Sequence, residues 1–180
     1  MSESVIRIAS IYPTLLGTYG DGGNVLALKH RAGLHGLVTD VVDVSPGEPL
    51  PRDCDLYVLG GGEDTAQVAA ADSLRADGGM TQAVDRGAAV LAICAGYQLI
   101  GREFPDATGA PSAGVGILDI RTDRLPKRAV GELLTRPDPQ APAGLTDLLT
   151  GYENHAGATH LGPDARPLAQ VEFGVGNGDV

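Results

Sequence analysis

Ala88-Ala89-Val90-Leu91-Ala92-Ile93-Cys94-Ala95-Gly96-Tyr97-Gln98-Leu99 runs from an apolar segment, through one cysteine, into small residues and the start of a helical pattern. A short apolar run that feeds a helix reads as a buried strand followed by a sharp turn. Such a turn needs small neighbours, because Cβ atoms would clash at it, and Ala92, Ala95 and Gly96 supply them. A thiol at this bend is pushed out of the sheet and faces a helix N-terminus, whose partial positive charge favours the thiolate. The plainer alternative is a packed structural cysteine, the commonest fate of a free thiol. The turn alone leaves both readings open.

Upstream, the pattern repeats. Val5–Tyr12 is β-branched and reads as a strand ended by Pro13; Gly17–Asn24 is turn-rich; a helix is expected from Asn24 to about His35, with Val25, Leu28 and Leu34 on its apolar side. Strands follow at Val38–Val44 and Cys54–Leu59, the latter running into Gly60-Gly61-Gly62. Helices are expected over Glu63–Ala71 and about Ser73–Arg86, then the strand Ala88–Ile93 and a helix over Ala95–Arg102. Alternation at these lengths predicts an α/β fold with a parallel central sheet flanked by helices. Ligands in such sheets sit at the carboxyl ends of the strands, which is where Gly60–Gly62 and Cys94 both fall. After Phe104, the segments Ile117–Thr122, Ala129–Thr135, Leu149–His155 and Leu168–Phe173 read as shorter strands joined by Gly/Pro turns, an antiparallel extension packed on the same sheet.

The bulk composition excludes several classes. The chain has 180 residues, 43% of them hydrophobic, a net charge of −10 and a pI near 4.6. That size suggests one domain with a real core. An acidic surface repels phosphate backbones and anionic lipid, so neither nucleic-acid binding nor membrane insertion is expected. No apolar run approaches a membrane span, and Met1-Ser2-Glu3-Ser4 does not read as a signal peptide. Two cysteines, Cys54 and Cys94, make neither a disulfide framework nor a metal cluster, so a reduced, cytoplasmic protein without a metal site is expected.

Gly60-Gly61-Gly62-Glu63-Asp64 is the second candidate motif. Glycines at a strand end let the backbone approach a ligand and offer an N–H to an oxyanion. They equally suit a tight turn in which Glu63 or Asp64 favours the helix start. Asp21 and Asn24 precede a helix and suit an N-cap or Asx-turn.

Taken together, the triple glycine at one strand end and Cys94-Ala95-Gly96-Tyr97-Gln98 at the next resemble the class I glutamine amidotransferases. Gly151-Tyr152-Glu153-Asn154-His155-Ala156-Gly157 is similar to the cobyric-acid-synthase-like branch, and Tyr19-Gly20-Asp21-Gly22-Gly23-Asn24 narrows the resemblance to the glutaminase subunits of lipid II isoglutaminyl synthases. The resemblance covers essentially the whole chain. It implies that Cys94 attacks the side-chain amide of glutamine, that the N–H groups of Gly61 or Gly62 and of Ala95 hold the oxyanion, and that Arg128 positions the substrate. A guanidinium fork suits a free α-carboxylate, although Arg124 and Lys127 lie close by. Gln98, one turn beyond Cys94, is a candidate contact to the substrate amide or to the turn backbone. The resemblance also implies a MurT-type, Mur-ligase-like synthetase partner that amidates the D-glutamate of the lipid II stem peptide. ATP and magnesium are expected on that partner, because this chain has no Gly-x-x-x-x-Gly-Lys-Ser/Thr loop.

One element of the family pattern is missing. A cysteine amidase needs a general base and acid, and the family's histidine follows the last strand in a pattern like Gly-Thr-Tyr-x-His-Gly-Pro. Here the sequence reaches Gly174-Val175-Gly176-Asn177-Gly178-Asp179-Val180 without it. A single domain over 1–180, cut short before the catalytic-histidine strand, is therefore expected. Among the four histidines, His30 and His35 read as surface residues, and His155 fits a family motif other than the catalytic one. Two other readings remain: another amidotransferase of the cobyrinate type, or a silent binding and scaffolding subunit.

Overall fold

The computed structural model describes residues 5–17, 22–141 and 144–178. Of the Tyr19–Asn24 motif, Tyr19, Gly20 and Asp21 therefore lie outside the described residues. The chain divides into two compact units, Met1–Ile117 and Leu118–Val180.

The first unit is built on four strands, β1 (Val5–Ile11), β2 (Val38–Val44), β3 (Leu56–Leu59) and β4 (Ala89–Ala92). They form a fully parallel sheet in the order β2-β1-β3-β4. The crossovers carry α1 (Gly22–Leu34), then α2 (Asp64–Asp77) with α3 (Gly79–Asp85), and α4 (Ala95–Leu99) follows β4. Alternation along the strands divides the core. Ile8 and Val58 cluster with Val25 of α1, and Ile6, Leu28, Val41, Leu56 and Leu91 pack against them. The alternate residues Ala9, Ile11, Tyr57 and Leu59 are fully buried, as are Ala70, Ala71 and Leu74 of α2 and Met80 and Ala83 of α3. A short antiparallel pair, β5 (Glu103–Pro105) with β6 (Pro111–Ala113), follows α4 and has no counterpart in the sequence reading.

Two sequence expectations shift. Leu34 ends α1 exposed to solvent instead of facing the core, so the apolar side of that helix is Val25 and Leu28. The break between the next two helices falls at Gly78, not near Asp72. Gly78 adopts φ 67°, and its N–H closes α2 on Leu74 O. A left-handed residue there ends one helix and starts the next.

The second unit holds β7 (Ile120–Pro137), β8 (Leu149–Leu161) and β9 (Ala169–Phe173). β7 pairs antiparallel with both β8 and β9. The expected segments Ile117–Thr122 and Ala129–Thr135 are one long strand interrupted by an irregularity between Arg124 and Ala129. Pro126 lies inside that irregularity, where its missing N–H removes no ladder bond. The antiparallel strands form a sheet distinct from the parallel one, not a continuation of it.

A Cβ at Gly78 would meet nothing within 4 Å, so only backbone conformation opposes a side chain there. Gly78→Ala is expected to lower unfolding stability by about 1 kcal/mol in a urea titration, with the slope of the transition unchanged.

Candidate active site

The parallel register carries β3 and β4 to the same edge, and backbone bonds continue the pairing past the strand ends. Ile93 N–H donates to Leu59 O (2.9 Å), and Gly96 N–H donates to Gly60 O (3.0 Å). Between these two bonds the chain must reverse from strand to helix within three residues. Cys94 absorbs the reversal with φ 54° and ψ −117°. Few non-glycine residues adopt such a backbone, and holding one there costs about 1–3 kcal/mol. The side chain emerges exposed, as the turn reading predicts and as a packed structural cysteine would not.

The neighbours explain how the strain is held. A Cβ on Gly96 would lie 2.8 Å from Gly60 O and 2.9 Å from Leu59 Cβ and Leu59 O, so only glycine lets the helix start this close to β3. Ala95 is buried beside it. At its far end α4 is tied down by Val115 N–H on Leu99 O (2.7 Å), Gly116 N–H on Gly101 O (2.8 Å) and Ile117 N–H on Ile100 O (3.1 Å). These donors occupy carbonyls that a one-turn helix would otherwise leave unpaired.

The glycine corner is braced from the other side. A Cβ on Gly62 would sit 3.1 Å from Leu15 O and from Leu16 Cδ2. That turn is fixed by Tyr12, fully buried at φ 50°, whose carbonyl accepts from the N–H groups of Leu15 and Leu16. The Tyr12 hydroxyl and Ser73 Oγ of α2 are hydrogen-bonded at 2.9 Å. Sequence reading took Pro13 as the end of β1 and saw nothing of this role for Tyr12.

Gln98 N–H donates to Cys94 O (3.2 Å), which places Gln98 one turn above the cysteine. Its side-chain oxygen accepts from Nε2 of Gln67 on α2 at 3.0 Å. Gln67 is only 2% exposed and escaped the sequence reading. Its signal was present: residues 67, 70, 71 and 74 form an i, i+3, i+4, i+7 stripe in which the other three are apolar. Cys94, Ala95, Gln98 and the Gly60–Gly62 corner that contains Gly61 are thus brought together at one sheet edge.

Arg128 belongs to the second unit, in the irregular stretch of β7. It is exposed, and its Nε and Nη2 donate to Oδ1 (2.6 Å) and the backbone O (3.2 Å) of Asn154 on β8. Asn154 holds one edge of the guanidinium and so fixes the plane of the fork.

Beside Asn154, Glu153 is a buried carboxylate. Its two oxygens accept the N–H groups of Val175 and Gly176, both at 2.7 Å, and Oε2 lies 3.3 Å from His155 Nε2. The Val175 N–H, with Gly176 and His155 adding to it against the opposing effect of burial, holds the carboxyl below the usual carboxylate range. His155 Nδ1 meets Gly157 O at 3.0 Å, so both ring nitrogens are engaged in the wall of this unit. His160 pairs with Asp123 at 3.0 Å, and His30 and His35 are exposed surface residues, as expected. Among the described residues no group of three or more His, Cys, Asp or Glu side chains is placed to hold a metal ion. No helix among them is long and apolar enough to cross a membrane.

A parallel sheet ending in a strained cysteine turn against a glycine corner defines the architecture of a glutamine amidotransferase. The description of the CobB/CobQ-like glutamine amidotransferase domain matches residues 7–180, and the chain belongs to that family. It is 33% identical over 166 residues to the lipid II isoglutaminyl synthase (glutamine-hydrolyzing) subunit GatD of Staphylococcus aureus (strain N315), covering 91% of this chain and 65% of that protein. It is also 33% identical over 177 residues to the GatD subunit of Streptococcus pneumoniae (strain ATCC BAA-255 / R6), covering 97% and 66%. The chain therefore spans about two thirds of the length of these relatives. A crystal structure of a glutamine amidotransferase shares the fold with a TM-score of 0.54 at 16% identity, over 90% of this chain and 79% of that one.

Two consequences are measurable. Gly96→Ala forces its new methyl group against Gly60 and Leu59 and is expected to cost about 2 kcal/mol or more of unfolding free energy. Peptide mapping after iodoacetamide treatment should show altered alkylation at Cys94 in that variant, with buried Cys54 still protected. The second concerns pH. Because the folded pKa of Glu153 is depressed, its contribution to stability is complete above the unfolded carboxylate value and is lost as pH falls through the folded one. Glu153→Gln should therefore destabilise the protein at neutral pH and flatten the acid limb of its stability profile, followed by urea unfolding from pH 7 down to pH 3.

Proposed function

We propose that this chain hydrolyses glutamine and hands the ammonia to an ATP-using synthetase, as the glutaminase half of a lipid II isoglutaminyl synthase. The observation that carries the reading is the exposed thiol of Cys94, held at a positive φ beside the triple-glycine corner. The similarity to two GatD subunits supports the choice of product.

In this mechanism Cys94 Sγ attacks the carboxamide carbon of glutamine, and the carbonyl oxygen becomes an oxyanion. The N–H groups of Gly61 and Ala95 are the proposed donors to it. Each such donor is worth about 3 kcal/mol in comparable acyl-transfer sites, because it meets charge that exists only in the transition state. The C–N bond then breaks, ammonia leaves with an added proton, and a glutamyl thioester remains until water hydrolyses it to glutamate and regenerates the thiol. These proton transfers need a general base and acid, a role that a histidine fills in the family pattern; His30 and His35 are surface residues of the α1 region, and both ring nitrogens of His155 are engaged within the second unit. Arg128 is proposed to bind the α-carboxylate of glutamine, with Asn154 holding its fork, and Gln98 to touch the substrate near the turn.

The partner in this reading is a MurT-type, Mur-ligase-like subunit in the cytoplasm. It binds ATP with magnesium, activates the D-glutamate carboxylate of the stem peptide and receives the ammonia. The reaction yields D-isoglutamine in peptidoglycan precursors.

Reconstitution with that partner, ATP, magnesium and lipid II tests the reading. The glutamine-analogue electrophile 6-diazo-5-oxo-norleucine should label Cys94. Cys94→Ala should abolish amidation driven by glutamine while leaving amidation driven by ammonium salts intact. Glutamine-driven amidation that survives Cys94→Ala sinks the proposal, and absence of labelling even with partner present favours a non-catalytic subunit.

A further inference from the structure

Among the described residues only two non-glycine residues take a positive φ, Tyr12 (50°) and Cys94 (54°). Tyr12 comes directly after β1, and Cys94 comes after β4. Between these two strands lies β3, which runs into Gly60–Gly62, so a strained residue stands on each side of the glycine corner. The strain at Cys94 exposes the thiol; that at Tyr12 has no part in the chemistry above.

A turn that needed only the positive φ would take glycine, which adopts it without steric penalty. A bulky aromatic residue persists there only if its surroundings over-determine it. Every polar group of Tyr12 is engaged. Its N–H donates to Val44 O (2.8 Å), and its carbonyl accepts from the N–H groups of Leu15 (2.9 Å) and Leu16 (2.8 Å). Its hydroxyl meets Ser73 Oγ of α2 at 2.9 Å, a bond that holds whichever oxygen donates. The side chain is fully buried, and a phenylalanine would fill nearly the same space with no polar atom to satisfy.

These contacts reach the corner from two sides. Upstream, the turn held by Tyr12 O puts Leu15 O and Leu16 Cδ2 each 3.1 Å from where a Gly62 Cβ would stand, and Leu16 is itself buried. Downstream, the corner passes through Glu63 into α2, the helix that carries Ser73. Tyr12 therefore ties together the two elements between which Gly60–Gly62 is held.

We infer that Tyr12 is a positioning residue: anchored on Ser73, it fixes the glycine corner at the place where the oxyanion forms beside Cys94. It touches no substrate and acts through the 13–16 turn and α2. The inference rests on the glutaminase reading and adds to it the residue that sets its oxyanion donors in place. A displaced donor loses most where charge exists only in the transition state, so the effect falls on the limiting rate and not on substrate binding.

Steady-state glutamine hydrolysis by the reconstituted complex provides the test. Tyr12→Phe, which removes one oxygen and keeps the ring, should lower kcat about tenfold with KM unchanged. Ser73→Ala breaks the same bond from its other end and should show the same loss; it also serves if Tyr12→Phe does not fold, as judged by circular dichroism. The double variant should lose no more than either single one. Alkylation of Cys94 by iodoacetamide, which needs no oxyanion site, should keep the wild-type rate throughout. A wild-type kcat in either folded single variant overturns the inference, as does a raised KM with kcat unchanged, losses that multiply in the double variant, or an equal fall in the iodoacetamide rate. A wild-type complex that releases no glutamate from glutamine overturns the glutaminase reading and this inference together.

Discussion

Two backbone hydrogen bonds beyond the end of a sheet govern this molecule: Ile93 N–H to Leu59 O and Gly96 N–H to Gly60 O. They hold β4 and the start of α4 against β3, and of the two residues left between them Cys94 takes a backbone that side chains resist. The positive φ of Cys94 follows from that geometry and not from any preference of cysteine. Everything nearby serves to make the reversal tolerable. Gly96 removes the methyl group that would strike Gly60, the 114–117 segment occupies the carbonyls at the end of α4, and buried Leu99 anchors the helix from below. The strain is repaid by burial of the surrounding elements, and its product is an exposed sulfur on a rigid edge.

The second unit solves a different problem with the same economy. Its sheet is largely solvent-facing, and Val130, Tyr152 and Phe173 are all exposed. A carboxylate stands in for part of the missing apolar core. Glu153 accepts two backbone N–H groups from the Gly174–Gly176 turn, and at Gly174 (φ 104°) a Cβ would come within 2.9 Å of the same carboxylate. Thr159 N–H donates to Asn177 O at 2.6 Å and extends the hold along β8. A buried anion fully supplied with donors is stable where an unpaired one would not be, because each N–H replaces a lost water.

What the sequence discloses divides along physical lines. The parallel sheet was legible because its strands are short apolar runs separated by helical periods, and both Cys94 and Gly60–Gly62 were placed at the correct strand ends by chain order alone. The breakpoint was placed near Asp72, although the apolar stripe of α2 stops at Leu74 and Gly78-Gly79 follows; the positive φ of Gly78 shows where the helix ends. The long β7 was read as two strands because Pro126 and the polar run Arg124–Arg128 imitate a loop; the irregularity is invisible until β8 pairs across it. Gln67, Tyr12 and Asn154 were missed for a common reason. Each acts on a residue distant in sequence or through a backbone atom; the helical period places Gln67 on the buried stripe of α2, but no period names the partner of any of the three.

The two cysteines show how far position outweighs residue type. Cys54 lies just before β3, at the amino end of the parallel sheet, 5% exposed. Burial, with Asp53 and Asp55 nearby, pushes its thiol up, and the opposing charge of Arg7 does not reverse this. Arg7 is itself engaged by Asp40 and Asp53. Cys94 sits past the carboxyl end of β4, exposed, with a helix start and a glycine corner for neighbours. In a parallel sheet every crossover returns the chain to the same end, so loops that open outward accumulate at the carboxyl edge. The same side chain is therefore a packing atom at one end of the sheet and an exposed thiol at the other.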